Sequence, residues 1–323
     1  MQDIKRVKQM VKASQLYYEC HYTQQEIAAF MNLSRPTVSR LLKEAEEEGI
    51  VQITVRNPFG EASELEIALE QLFNLKKAIV CPSLKSNPQA IKERIGERAA
   101  RYLESIMRND DIIGVSWGTT MYEVALRARP MKRIRGVKFV QSNGAVGRYS
   151  SKNNGTEILS LLSKAYNATS YTLPVPAIVD DKHVADLLKR ESFTKEIFAM
   201  LDVANIFVFS IGVPTTNSVL VEAGYFTAED IVSLQKKGAV GDICSRYFDI
   251  TGQICNPDLD ARTIGLELDK LRDKPYSIAV AGGREKAPGI IAACSAGYVN
   301  VLITDETAAE EILELHQNSN VES

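Results

Sequence analysis

Residues 112–126 read IIGVSWGTTMYEVAL. The apolar run Ile112 to Val115 stops in the turn Ser116-Trp117-Gly118-Thr119-Thr120 and feeds a stretch of helical character. The same alternation extends through the rest of the chain. Apolar runs at 78–81 (AIVC), 112–116 (IIGVS), 137–141 (VKFVQ), 169–175 (TSYTLPV), 204–212 (ANIFVFSIG), 276–282 (YSIAVAG) and 300–304 (NVLIT) are mostly separated by helical patterns. Runs of nearly continuous Val, Ile and Phe predict strands buried on both faces, hence an α/β fold with a parallel sheet covered by helices on each side.

Open sheets of this class bind ligands beyond the carboxyl ends of their strands. Four loops there carry suitable groups. Gly118 permits close backbone approach, while Thr119, Thr120 and the N–H groups of a helix start can face an anion. Asn143 and Gly144 follow VKFV; Gly282, Gly283 and Lys286 follow YSIAV; and the segment Gly241–Asp249 offers Asp242 as an acceptor for hydroxyl groups. Each loop alone could be a tight turn. Together, two anion cradles (Gly118/Thr119/Thr120 and Gly282/Gly283/Lys286) and a carboxylate suit a small phosphorylated polyol. Neither cradle fits GxGxxG or GxxxxGK[ST], which sets dinucleotide and P-loop sites aside.

The first sixty residues follow a different plan. VKQMVKASQLYYEC has apolar residues at helical spacing. Thr23 with Glu26 forms a capping-box pattern opening a short helix that ends at Asn32, a residue tolerant of the left-handed conformation. Ser34 then caps a third helix with Pro36 in its first turn and Val38, Leu41, Leu42 and Ala45 on its apolar face, stopping at Gly49. This is the pattern of a helix-turn-helix. Arg35, Thr37, Ser39 and Arg40 lie near the start of the recognition helix, where side chains meet base edges and phosphates, with Thr23, Gln24 and Ser34 beside them. Ile50 to Val55 alternates like the strand of a wing. The competing reading is a three-helix core with a solvated basic face. Asn57-Pro58-Phe59-Gly60 marks the boundary between a DNA-binding domain, 1–57, and an effector and oligomerisation domain, 58–323.

Bulk properties agree with this division. The 323 residues are 45% hydrophobic and 24% charged, as in an ordinary globular chain of roughly two domains. Net charge is −3, yet residues 1–43 hold Lys5, Arg6, Lys8, Lys12, Arg35, Arg40 and Lys43 against Asp3, Glu19 and Glu26. The basic end suits nucleic acid and the acidic body does not. Cys20, Cys81, Cys244, Cys255 and Cys294 are scattered, with no metal-ligand or disulfide spacing. The start MQDIKRVKQM lacks a signal-peptide core, and no run approaches the ~18 apolar residues that span a membrane, so a cytoplasmic location without membrane contact is expected. His21, His183 and His316 are the only histidines, and no nucleophile motif accompanies them. The chain is expected to bind rather than catalyse, without cofactor or metal. An isomerase or deaminase with an accessory DNA-binding end, and a DNA-binding module whose body only oligomerises, are the rivals.

The segments YTQQEIAAFMNLSRPTVSRLLKEAEEEGIVQI, GVSWGTTMYEV, GAVGDICSRYFD, RTIGLEL and AGGREKAPGIIAACSAGYVNVLITD resemble, in order and over nearly the whole chain, the SorC family of sugar-responsive bacterial regulators. Within that family the chain most resembles regulators of deoxyribonucleoside use in bacilli. The resemblance implies an effector domain similar to sugar-phosphate isomerases such as glucosamine-6-phosphate deaminase, operator DNA and a phosphorylated sugar as partners, and a homo-oligomer, dimer or tetramer. It places Gly118, Thr119 and Thr120 at the phosphate, Lys286 as a cation and Asp242 at the sugar. Two departures stand out. No histidine follows the strand ending Ser210-Ile211-Gly212-Val213-Pro214-Thr215, where the related isomerases carry a catalytic one. Asn143 occupies the place of a lysine that, in the deoxyribonucleoside branch, forms a Schiff base with its sugar phosphate; an amide cannot form an imine. The expected function is repression of a carbohydrate or nucleoside catabolic operon, relieved by a non-covalently bound sugar phosphate. The amphipathic stretch ASELEIALEQLF, with Leu65, Leu69, Leu72 and Phe73 on one face, either joins subunits or covers the sheet.

Overall fold

The computed structural model describes residues 2–51, 63–83, 87–131, 134–146 and 155–321. The chain divides into two compact units, Met1–Glu61 and Ala62–Ser323; the boundary expected at Asn57-Pro58-Phe59-Gly60 lies outside the described residues.

In the N-terminal unit, α1 (Gln2–Ser14) runs into a π-helical turn (Gln15–Glu19), followed by α2 (Gln24–Met31) and α3 (Arg35–Glu47). The capping box forms as the residues dictate: the Thr23 hydroxyl accepts from the Glu26 N–H, and Glu26 accepts from the Thr23 N–H at 2.8 Å. Asn32 closes α2 in the left-handed region at φ 52°. Ser34 caps α3 by accepting from the Thr37 N–H. Met10, Ala13, Leu16, Ile27, Val38, Leu41, Leu42 and Ala45 form a closed core that fixes the angle between α2 and α3. Ile50 and Val51 form a bend rather than the start of a strand, and the remainder of the expected wing, 52–55, lies outside the described residues.

The C-terminal unit opens with α4 (Glu64–Phe73) and β1 (Lys77–Cys81), then continues through α5 (Pro88–Ile106), β2 (Ile112–Val115), α6 (Thr119–Leu126), β3 (Lys138–Gln141), α7 (Gly155–Tyr166) and β4 (Thr169–Tyr171). After α8 (Lys182–Arg190) and α9 (Ser192–Val203) come β5 (Ile206–Phe209), α10 (Val219–Glu222), α11 (Ala228–Lys236), β6 (Gly241–Ile243), β7 (Arg246–Phe248) and α12 (Pro257–Arg262). The chain ends with β8 (Tyr276–Val280), α13 (Ala287–Ser295), β9 (Val301–Asp305) and α14 (Glu306–Val321). Seven strands form one parallel sheet in the order β1-β9-β8-β5-β2-β3-β4. They correspond to the seven apolar runs of the sequence. The segment Gly241–Asp249, expected as a loop, instead contains an antiparallel hairpin of β6 and β7.

The alternation of side chains along β5 divides the core. Phe207 and Phe209 pack on one face with Leu69, Ile290 and Leu302, while Ile206 and Val208 pack on the other with Ile95, Ile113, Phe139 and Tyr166. A third cluster, including Leu220, Phe226, Ile231, Leu234 and Tyr247, holds α10 and α11 against the hairpin. Leu65, Leu69, Leu72 and Phe73 of α4 pack on the first core. Of the two roles open to that helix, covering the sheet is the one the structure shows. Two carboxylates of α4 also serve the neighbouring edge strand: Glu70 accepts from the Ala78 N–H and Glu66 from the Val80 N–H, both at 2.9 Å.

Chain order reverses between β2 and β5, which are paired although β3 and β4 continue from one and β8 and β9 from the other. Gly114 lies directly opposite Phe207, and the phenyl ring occupies the space a Cβ would need. Gly114→Ala is expected to lower the stability of the C-terminal unit by about 1–3 kcal/mol through overpacking, measured as a fall in its urea unfolding midpoint.

Candidate functional site

The crevice between the ends of β2 and β5 is the switch point at which α/β sheets bind ligands. A cavity of about 530 Å³ lies there. Its walls come from the loop after β2, from Asn143 after β3, from Ser210–Val213 after β5, from α10, from the β6–β7 hairpin and from the turn before α13. Six expected residues line it: Gly118, Thr119, Thr120, Asn143, Asp242 and Lys286.

Each is positioned by its local chemistry. Gly118 takes φ 134°, a conformation that glycine tolerates, and so turns β2 into α6 with Thr119 and Thr120 in the first helical turn. The Trp117 indole donates to the Gly144 carbonyl at 2.8 Å, tying this loop to the one after β3. Asp242 sits on β6, which bridges back to Gly212 through mutual backbone hydrogen bonds of 2.9 and 3.2 Å. Its carboxylate accepts from the Ser245 N–H at 3.2 Å. The Lys286 ammonium reaches Ser210 Oγ at 3.4 Å.

Three expected residues do not line the cavity. Gly144 contributes its carbonyl to Trp117 and packs its Cα against Pro176, leaving no room for a side chain. The Gly283 N–H, expected to face an anion, donates to Asp305 Oδ1 at 2.7 Å, and Gly282 lies against Asp305 and Ile91. Both glycines shape the turn that presents Lys286. Conversely, Lys92 and Glu222 line the cavity from segments where the sequence marks no site, and Ser116, Ser210, Gly212, Ser245, Tyr247 and Glu285 line it from the loops named above, where no binding role is expected of them. Lys92 is one turn before Gly96 on α5, and only the packing of Gly96 against the Glu123 backbone of α6 reveals its place.

Burial governs the charges. It pushes the Asp242 carboxyl up to about 6, opposed by the Ser245 N–H and the Lys286 charge. It likewise draws the Lys286 ammonium down to about 8, assisted by the Lys92 cation and opposed by Glu285 and Asp242. Both groups therefore titrate near neutrality. Among the described residues no group of three His, Cys, Asp or Glu side chains is arranged to hold a metal, and no helix is long and apolar enough to cross a membrane.

In the N-terminal unit, Thr23, Gln24 and Arg35 share a surface cleft with Tyr17, Tyr18, His21 and Tyr22. The Thr23, Ser34 and Thr37 hydroxyls are engaged in the helix caps. Ser39 and Arg40 lie on the exposed face of α3. Arg40, 67% exposed, approaches Glu44 only to 3.8 Å, since Glu44 already grips Arg6 through two bonds of 2.9 Å. Its guanidinium is thus the freer of the two arginines around Glu44.

Residues 57–314 match the family model Sugar-bind, described as "Putative sugar-binding domain", and residues 7–59 match a Crp-like helix-turn-helix domain. The sequence is 39% identical over 303 residues to the deoxyribonucleoside regulator of Bacillus subtilis (strain 168), covering 94% of this chain and 96% of the relative. It is 30% identical over 314 residues to the sorbitol operon regulator of Klebsiella pneumoniae, covering 97% and 100%. The chain belongs to the SorC family. The crystal structure of full-length SorC from Klebsiella pneumoniae superposes with a TM-score of 0.77 at 31% identity, over 95% of this chain and 98% of that one. This SorC-family chain is a DNA-binding transcriptional regulator controlled by a sugar effector.

Gly212 faces Asp242 so closely that a Cβ would overlap the carboxylate. Gly212→Ala is expected to turn Asp242 out of the cavity, abolishing the response to effector while operator affinity in a gel shift stays unchanged.

Proposed function

We propose that the chain represses a carbohydrate or nucleoside catabolic operon and leaves its operator when a phosphorylated sugar occupies the cavity non-covalently. The observation that carries this reading is the meeting of Lys92, Lys286 and the N-terminus of α6 with Asp242 in one half-enclosed space. Two cations and a helix start suit a phosphate dianion, and the carboxylate suits hydroxyl donors. The protein acts in the cytoplasm as a dimer or tetramer, presenting paired recognition helices to a pseudo-palindromic operator. Ligand shifts DNA affinity only insofar as it binds the two conformations unequally.

The reading without turnover is supported by the loop after β5, where Ser210, Ile211, Gly212, Val213 and Thr215 line the crevice and no histidine stands. The names of the two relatives, one referring to deoxyribonucleosides and the other to sorbitol, support a carbohydrate effector. Asn143 lines the cavity with an amide, which supports reversible rather than covalent capture. Incubation with candidate sugar phosphates should leave them chemically unchanged by NMR; conversion of any of them would instead support the isomerase reading.

Affinity for a sugar phosphate should be greatest between about pH 6 and 8 by isothermal titration calorimetry. Above this window Lys286 loses its proton and its attraction for phosphate; below it Asp242 becomes neutral. Phosphate itself gains a proton near pH ~6, so Asp242→Asn should remove only part of the acid limb, whereas Lys286→Met should flatten the alkaline one. A second expectation concerns the DNA end. Arg40→Ala should weaken binding to an operator selected from a random duplex pool by about 1–3 kcal/mol, with effector affinity unaltered; equal gel-shift midpoints would remove Arg40 from the interface.

A further inference from the structure

Four polar residues of the cavity wall are almost completely buried: Ser116, Asn143, Ser245 and Tyr247 are 4, 1, 2 and 2% exposed. Each has a side-chain oxygen without a hydrogen-bond partner among the described residues. Buried oxygens are normally paired, and leaving one unpaired is costly. These four come from three separate segments, the end of β2, the turn after β3 and the β6–β7 hairpin. Their convergence on one cavity marks a surface built for a ligand.

The chemistry of the wall defines which part of the ligand it meets. Serine and tyrosine hydroxyls and a primary amide all donate and accept. Burial holds the Tyr247 phenol well above its usual pKa, so it remains a neutral hydroxyl. Asp242 stands next to Ser245 and accepts from its N–H. A phosphate dianion only accepts and is repelled by Asp242, whereas a sugar hydroxyl can donate to the carboxylate and exchange hydrogen bonds with the others. The anionic end therefore belongs at the start of α6 with the neighbouring cations Lys92 and Lys286. In a sugar 5- or 6-phosphate, the end remote from the phosphate carries C1 and C2.

We infer that Asn143, Ser245 and Tyr247 read the hydroxyl at C2, so that the effector is a fully hydroxylated sugar phosphate and 2-deoxy sugar phosphates are discriminated against. The inference rests on the sugar-phosphate reading above. It adds a selectivity to that site which neither the cations nor the helix start can provide, because they meet only the phosphate.

The test uses the full chain and isothermal titration calorimetry with matched pairs: ribose 5-phosphate against 2-deoxyribose 5-phosphate, and glucose 6-phosphate against 2-deoxyglucose 6-phosphate. Inorganic phosphate serves as a probe of the anionic end alone. In whichever pair binds, the 2-hydroxylated member should bind about tenfold tighter or more, the worth of one well-made hydrogen bond. Tyr247→Phe and Ser245→Ala each remove a single oxygen. They should reduce affinity for the hydroxylated member while leaving its deoxy partner and inorganic phosphate unchanged. A deoxy member that binds as tightly as its partner overturns the inference and leaves the sugar-phosphate site standing. Equal loss of both members in the two variants also overturns it, since that pattern reports a general distortion of the wall. Failure of every sugar phosphate to bind removes the underlying site and the inference with it.

Discussion

The parallel pairing of β2 with β5, with Gly114 opposite Phe207, is the contact on which the arrangement of the effector unit depends. One strand gives up its side chain so that the other can lay an aromatic ring across the sheet. This brings together two strands that are distant in the chain and whose following segments diverge to opposite sides. The crevice above them exists because of that divergence. Its contents, the Gly118 turn on one side and the Ser210–Gly212 segment on the other, are consequences of strand order before they are matters of chemistry.

The cavity combines parts with different mechanical attachments. The Gly118 turn and Lys286 are carried on βα connections of the main sheet, whereas Asp242, Ser245 and Tyr247 are carried on a hairpin packed with α10 and α11 over a separate hydrophobic cluster. A ligand touching both must bridge the sheet and this smaller layer. The buried Arg246, on the same hairpin, donates to the carbonyls of Leu266, Thr263 and Gly265 and pairs with Asp260. These bonds lock the hairpin to the segment 260–266, so a displacement of Asp242 or Tyr247 is shared with that segment.

Much of this was legible from the residues. Continuous apolar runs gave the parallel strands, and Thr23/Glu26, Asn32 and Ser34 gave the helix boundaries of the N-terminal unit, because caps and burial patterns are local. Gly118, Thr119, Thr120, Asp242 and Lys286 were visible as loop residues after strands. The β6–β7 hairpin was not, since its turn is made by Cys244 and Ser245 at φ 53° and 67° rather than by the glycine or asparagine that announces such turns. Lys92 was hidden because a helix presents many lysines and only packing selects the one that faces inward. Gly282 and Gly283 have the composition of an anion cradle, yet Asp305, more than twenty residues later, takes the Gly283 N–H. The unpaired oxygens of the wall could not be read at all from sequence, because burial from three segments is a tertiary property.

The two carboxylates that α4 directs at β1 have a consequence for assembly. An edge strand ordinarily exposes a row of unpaired N–H groups that invites another strand to add. Here the N–H groups of Ala78 and Val80 are already occupied by Glu70 and Glu66, and the opposite edge, β4, is only three residues long. Continuation of the sheet from one molecule into the next is thereby closed off at β1. A strand added at β1 would first have to displace both carboxylates, so the side chains that fasten α4 to the sheet also keep this edge from acting as a template.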